Sequence, residues 1–348
     1  MIKNEKTPRY EILINEIEKN YRFIDGKLGD CQIYYAMKAN SEEGVIRVLH
    51  ELGSCFECSS KEEFELLKKL NVECSRIEFA LPVKSKELIE YLYRNGCNIF
   101  VFDTFEELQK LEKYAPNSKK LMRLYITDIA IHSIQYGVDI NEMSDIYRHK
   151  MHLVDGVAFH ISENISVEQL KVVLNRAERA IEILASLNKR SSSLILNIGG
   201  GFSYQAECGY YENLANMLKR IKEKYNLKII SEPGTIVVRT AGRYITKVIS
   251  IIRRKQYSEV FIDGGLPHGV IYPPKNVSFY KYKKEKCKRK IYKFIDNTCM
   301  RKELFMISML YEIEENDVLV FEDYGAYASV FQNDFHRWER ANVIYIRK

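Results

Sequence analysis

The chain has 348 residues, 46% of them hydrophobic and 29% charged, which allows two domains, or a barrel with a satellite, of ordinary globular composition. Its net charge of +6 is too mild to demand nucleic acid, though it suits an anionic ligand. No run approaches the roughly 18 apolar residues of a membrane span, and the opening MIKNEKTPRY lacks the apolar core of a secretory signal. Eight cysteines fall without paired spacings. The one CxxC, Cys55 and Cys58, has no second pair or nearby histidine. No metal is therefore expected, and the thiols read as buried and reduced, in a cytoplasmic setting.

Arg9–Ile14 reads as a strand. From residue 31 the chain alternates short apolar runs with longer amphipathic ones. Strands are expected at Cys31–Met37, Ser54–Cys58, Arg76–Leu81, Asn98–Phe102, Leu121–Ile126, Gly156–Ile161, Leu194–Ile198 and Lys228–Ser231. Helices are expected at Ser41–Glu51, with Ser41 as cap, and at Ser60–Leu70, Thr104–Lys113, Ser166–Leu187 and Tyr210–Tyr225. Eight strand–helix units in about two hundred residues match a closed parallel β/α barrel better than an open doubly wound sheet. After Gly242 the rhythm changes. Arg243–Ile252, Glu259–Asp263, Asn276–Tyr282, Lys290–Ile295, Val318–Phe321 and Val343–Ile346 read as an all-β second domain. The expected division is an α/β barrel over 25–235 and a β-sandwich or β-barrel domain over 236–348, joined by residues 1–24. The basic run Lys281–Lys290 reads as a solvated hairpin.

In a β/α barrel, chemistry sits at the C-terminal ends of the strands. Lys38 follows the first strand, Glu57 ends the second, Arg123 lies in the fifth, His160 ends the sixth, Gly199, Gly200 and Gly201 follow the seventh, and Glu232 follows the eighth. Alone, each has an ordinary reading: a solvated lysine, a hydrogen-bonded core histidine, a glycine turn. Several on one rim make a site. Three residues without Cβ bring backbone N–H groups close to a phosphate, and the loops after strands seven and eight are this fold's recurrent phosphate site. A lysine, a carboxylate and a phosphate site together point to pyridoxal 5′-phosphate (PLP). Lysine forms a Schiff base with the cofactor aldehyde. A carboxylate, here Glu232, keeps the pyridine nitrogen protonated so that the ring acts as an electron sink.

The motifs YYAMKAN, FECSS, AFHIS, NIGGGFS, SEPG, DNTCMRKE and GAYASVFQNDF resemble, in order and almost end to end, fold-type III PLP decarboxylases: the ornithine, diaminopimelate and carboxynorspermidine group. Around the opening motif and GAY, the chain looks most like the branch that decarboxylates citrate-linked intermediates of siderophore synthesis. The resemblance implies that Lys38 is the Schiff-base lysine, that His160 stacks on the ring and that Glu232 pairs with the pyridine nitrogen. Gly199–Gly201 and Gly234 would cradle the phosphate, with Tyr327 approaching it. Glu57 stands where an aspartate is usual, and Arg123 matches a pocket arginine. Cys299 would come from the partner subunit of a homodimer with shared sites and reprotonate the α-carbon. The substrate wall would include Met300, Arg301, Glu303, Tyr327 and Phe335.

Departures shape the expected substrate. Thr235 replaces the arginine of the usual EPGR, and Ile161, Ser162 and Glu163 replace a small stretch after His160. Met300 and Pro273 stand where diamine enzymes place aspartates, which disfavours ornithine and lysine, because an unpartnered ammonium is costly to desolvate. Arg301, Lys302 and His268 would suit a carboxylate as well as they suit ordinary surface charge. The expected activity is therefore decarboxylation of a carboxylate-bearing amino acid or conjugate. The alternatives are a diamino-acid decarboxylase, a PLP racemase or a catalytically silent regulatory relative.

Overall fold

A computed structural model describes residues 6–125, 136–147, 149–161, 163–187 and 194–347. Ser162 and Ile126 lie outside the described residues. The chain divides into two compact units, Asn20–Lys38 with Ile46–Ile236, and Met1–Lys19 with Ala39–Val45 and Val237–Lys348.

The first unit is a closed barrel. Its parallel strands, in chain order, are Gln32–Ala36, Cys55–Cys58, Ile77–Phe79, Ile99–Phe102, Lys119–Tyr125, Gly156–Ala158, Ile195–Asn197 and Lys228–Ser231. The eighth pairs with the first, Ile230 opposite Gln32, and closes the ring. A ninth short strand, Val138–Asp139, hangs on the fifth. The expected strands are all present, mostly shorter by a residue or two at their ends. The ladder runs on as isolated bonds, Phe159 N–H to Asn197 O and Ile198 N–H to Ile230 O. The intervening helices carry local start signals. Ser60 and Thr104 accept the N–H groups of Glu63 and Glu107. Ser166 and Gln169 form a reciprocal capping box before Val167–Leu187. The helix expected from Ser41 starts at Glu43 instead, so Ser41 is not its cap. Among the described residues four α-helices were not expected: Ile14–Leu28, Lys86–Arg94, Ile140–Tyr147 and the single turn Thr235–Val238. Ile17, Tyr21, Ile24 and Leu28 form a buried stripe at helical spacing on the first of these.

Tyr34, Cys55, Ala80, Ile99, Val101, Leu121, Ala158, Ile195 and Ile230 form one buried cluster drawn from all eight barrel strands or their immediate ends, so they fill the barrel interior. Side chains alternate along a strand. Two residues further on, the same inward faces lead from Cys55 to Glu57, from Leu121 to Arg123, from Ala158 to His160, from Ile195 to Asn197 and from Ile230 to Glu232. The apolar filling thus gives way to polar groups at one end.

The second unit is a mostly antiparallel sheet. Gly242–Arg253 is its spine, paired with Ser258–Ile262, with Val318–Glu322 and with Arg9–Leu13. Arg9–Leu13 also pairs in parallel with Asn342–Ile346. A strand at Glu303–Met309 was not expected, and it pairs with Lys290–Ile295. The expected strand over Asn276–Tyr282 reduces to Val277–Phe279 and pairs with Val318–Glu322, not with Lys290–Ile295. The basic run is therefore an irregular loop rather than a hairpin, with Lys284 bonded to both Glu314 and Asp317 at 2.7 Å. Stacked and edge-on rings of Phe294, Phe305, Phe321 and Tyr324 centre the core.

Candidate active site

Lys38 lies in a single 3-10 turn, Met37–Ala39, directly after the first barrel strand. Its side chain keeps 44% exposure, so the amine reaches open space at the strand end. Glu57 Oε2 stands 3.9 Å from Lys38 Nζ and has no hydrogen-bond partner among the described residues. Ser59 Oγ donates to the other oxygen at 2.7 Å. Glu63, one turn into the following helix, accepts the Ser59 N–H at 2.8 Å. Burial raises its carboxyl, while the Lys38 charge pulls it back. Glu63 was not among the expected site residues; it stands three residues after the helix cap Ser60, a spacing that capping alone accounts for.

His160 and the glycine triplet lock together. The Gly200 N–H donates to His160 Nδ1 at 3.3 Å, so Nδ1 is the bare nitrogen of a neutral ring. Burial, then the charges of Lys38 and Arg123, push His160 down to about 3. The imidazole is neutral at any physiological pH. The Gly199 N–H goes to Asn197 Oδ1 at 2.9 Å. Two of the three glycine donors are therefore already engaged, and the triplet has a second reason to be glycine. Gly199 and Gly201 sit at φ +64° and +86°, where L side chains are strained. A Cβ on Gly199 would overlap the Phe159 carbonyl oxygen, and one on Gly201 the Ile161 carbonyl oxygen. On Gly200 it would lie 2.7 Å from the Glu232 carbonyl oxygen. Gly234 is buried after Pro233, whose carbonyl accepts the Ala36 N–H at 3.2 Å and ties the eighth strand end to the first.

Glu232 is buried and accepts from Asn197 Nδ2 at 2.6 Å. Burial first, and the Glu57 charge second, raise its carboxyl, whereas Lys38 and Arg123 draw it back down. Arg123 lies over the Tyr136 ring at 5.5 Å. Lys38, Glu57, Arg123, His160 and Glu232 thus act electrostatically on one another at one rim, as the strand positions imply. An anionic, planar, nitrogen-containing aldehyde fits this donor set: an exposed amine, a buried carboxylate, a neutral imidazole and a turn held open by missing Cβ atoms.

The other unit holds the remaining expected residues. Cys299 is exposed, with Sγ 3.1 Å from His336 Nε2. His336 was not foreseen: one imidazole 37 residues away leaves no spacing signal. Phe335 is exposed, its ring 4.3 Å from that of His336. Met300 is exposed as well. The Tyr327 N–H donates to Ala39 O at 2.8 Å, from a backbone at φ +51°. The charged wall meets less support. Arg301 is bound to Glu259 at 2.8 Å, Glu303 pairs with Lys293 at 3.2 Å, and His268 is fully buried beside Trp338. Of the three groups offered for a substrate carboxylate, Arg301 is thus committed to Glu259 and His268 is buried, where desolvation disfavours its charged form. All eight cysteines are free. Among the described residues no group of three metal-binding side chains occurs, and no helix is long and apolar enough to cross a membrane.

Comparison with known proteins bears on the family and the fold. The profile of a family described as "Pyridoxal-dependent decarboxylase, pyridoxal binding domain" matches residues 14–239. Ornithine decarboxylase of Schizosaccharomyces pombe is 26% identical over 92% of this chain and 79% of its own length. Lysine/ornithine decarboxylase of Selenomonas ruminantium is 25% identical over 99% of this chain and 91% of its own. In fold, the crystal structure of arginine decarboxylase from Paramecium bursaria Chlorella virus superposes with a TM-score of 0.89 at 21% identity, covering 98% of this chain and 97% of that one.

Proposed function

Because the chain belongs to the pyridoxal-dependent decarboxylases, we propose that it removes the α-carboxylate of a diamino acid of the ornithine–lysine class, with PLP held on Lys38. The cofactor and the class of reaction, PLP-dependent amino-acid decarboxylation, follow from the family. The substrate class rests on the relatives named above. The observation that carries the assignment of residues is the polar rim, where one exposed amine, Lys38, shares its field with Glu57, His160 and Glu232.

When bound, PLP supplies an electron sink for the pair left behind by departing CO2. The chain's own residues do the rest. The Lys38 amine binds the aldehyde. Glu232 holds a proton at the pyridine nitrogen. His160, neutral, offers a flat face that adds no charge beside the ring. Gly201 and Gly234 receive the phosphate. Cys299, contributed by the partner subunit of a homodimer, gives the α-carbon its proton, and His336 Nε2, 3.1 Å away, is placed to orient that thiol. Tyr34, Leu121 and Ile230, all buried in the cluster that fills the barrel, keep water from its interior.

A second reading has one observation in its favour. Met300, next to Cys299, presents an exposed thioether and no charge, which suits a conjugate whose distal end is not an ammonium, such as a carboxylate-bearing siderophore intermediate. The engagement of Arg301 by Glu259 weakens it. CO2 release over a panel of ornithine, lysine, diaminopimelate and a citrate-linked diamino acid separates the two. The first reading expects the highest kcat/KM with ornithine or lysine. Preference for the citrate conjugate would overturn it.

A further inference from the structure

The barrel holds a second buried carboxylate that the scheme above does not use. Glu78 stands in the third strand, Ile77–Phe79, with 0% exposure. An ionised carboxylate without compensation is costly at such a place. Its hydrogen-bond partner is the side-chain amide of Asn197, whose Nδ2 lies 2.9 and 3.0 Å from the two Glu78 oxygens. The same nitrogen lies 2.6 Å from Glu232 Oε1. The orientation of that amide is fixed from its other end. Asn197 Oδ1 accepts the Gly199 N–H at 2.9 Å, so the NH2 group must be the end that faces the acids. An NH2 group has two protons, one for each carboxyl. Glu78 and Glu232 are therefore joined across a single amide.

Two carboxylates that close, in a dry interior, do not both ionise. The charges around them decide which one keeps the proton. Glu232 faces the cations Lys38 and Arg123 as well as the Glu57 carboxylate. Glu78 faces the carboxylates Glu232 and Glu57, against which stand the Asn197 hydrogen bond and the Lys228 charge. Lys228 is turned to the Tyr34 hydroxyl at 3.2 Å. Negative charge is better supported at Glu232. Burial, and then the Glu232 charge, raise the Glu78 carboxyl well above the ordinary carboxylate range.

We propose that Glu78 is a positioning residue that stays a neutral carboxylic acid and, through Asn197, fixes Glu232 as the anion of the pair. The inference rests on the reading of Glu232 as the partner of the cofactor's pyridine nitrogen. It adds the reason why that carboxylate can be deeply buried and still carry charge: its neighbour holds the proton. Gln at position 78 has the shape and neutrality of the acid and should replace it. A second negative charge there would push the proton onto Glu232 instead.

Infrared spectroscopy of the cofactor-free protein tests this directly. A protonated, hydrogen-bonded carboxylic acid has a C=O stretch well separated from carboxylate bands. That band should persist in the wild type as pH is raised through neutrality, should survive in Glu232→Gln, and should be missing in Glu78→Gln. Disappearance of the wild-type band by neutral pH would overturn the proposal, and needs no variant to fold. So would a band that survives Glu78→Gln and vanishes in Glu232→Gln. On the loaded protein, Glu78→Gln should bind PLP within about twofold of wild type and keep the visible spectrum, whereas Glu232→Gln should alter it. If the infrared result holds and Glu232→Gln leaves the spectrum and turnover untouched, the assignment of Glu232 to the pyridine nitrogen fails while the proton remains on Glu78.

Discussion

Replacing Gly199 by alanine should destabilise the protein even when no phosphate is near. Gly199 has φ +64°, and a side chain held in that left-handed region costs about 1–2 kcal/mol. A Cβ there also overlaps the Phe159 carbonyl oxygen, which belongs to backbone in the barrel ladder and cannot swing aside as a side-chain tip would. Forcing an extra methyl into such packing costs a further 1–3 kcal/mol or so. The sum, about 2–5 kcal/mol, corresponds to a Tm lower by roughly 4–20 °C for a unit of this size. Gly209 is the control. Its φ is +78°, but the nearest atom to an added Cβ is Asn213 Nδ2 at 3.5 Å, an ordinary contact. Gly209→Ala therefore pays only for conformation, about 1–2 kcal/mol. The assay is thermal unfolding of both variants without cofactor, followed by far-UV circular dichroism. A Gly199→Ala protein that melts with Gly209→Ala, or above it, would refute the claim that backbone packing demands the glycine.

Acid should destabilise the cofactor-free protein through His160. Its folded value of about 3 lies below the ordinary 6.5, so the unfolded chain binds the extra proton between those limits. Stability falls as pH drops through that window, by up to about 1.4 kcal/mol per unit, and denaturant titrations of His160→Gln should show a flatter acid limb than the wild type. Mixing inactive Lys38→Ala and Cys299→Ala proteins should restore about a quarter of wild-type activity, since half of randomly exchanged dimers carry one intact site of two; no recovery despite proven exchange places Cys299 outside the neighbouring site. Met300→Asp should lower KM for ornithine and lysine by about tenfold, the effect of roughly 1.4 kcal/mol from one new ion pair. Unchanged kinetics in that variant would mean that position 300 does not reach the distal amine.

The barrel was legible because strand-period and helix-period runs alternate eight times, and because local caps such as Ser60 and Thr104 mark where helices begin. Glu303–Met309 was missed since Leu304 and Met306 are apolar on the face opposite Phe305, Ile307 and Met309, which blurs the alternation. Ile14–Leu28 was missed although its stripe is regular, because the strand before it runs on without a break: Leu13 ends one element and Ile14 begins the next. In the site, residues at strand ends declared themselves. Glu78 and Asn197 did not, because a strand interior gives no cue that a polar residue faces its barrel neighbours across the axis. His336 required the fold to bring it beside Cys299. Arg301 shows the opposite failure: its charge suited a substrate carboxylate, but the fold brings Glu259, 42 residues away, to hold it.

The claim on which everything turns is that Lys38 holds the cofactor. Borohydride reduction of the PLP-loaded protein, followed by proteolysis and mass spectrometry, tests it in one step. The account predicts the pyridoxyl mass on the peptide containing Tyr34–Asn40, at Lys38, and none in Lys38→Ala. Stoichiometric label on any other lysine would contradict it.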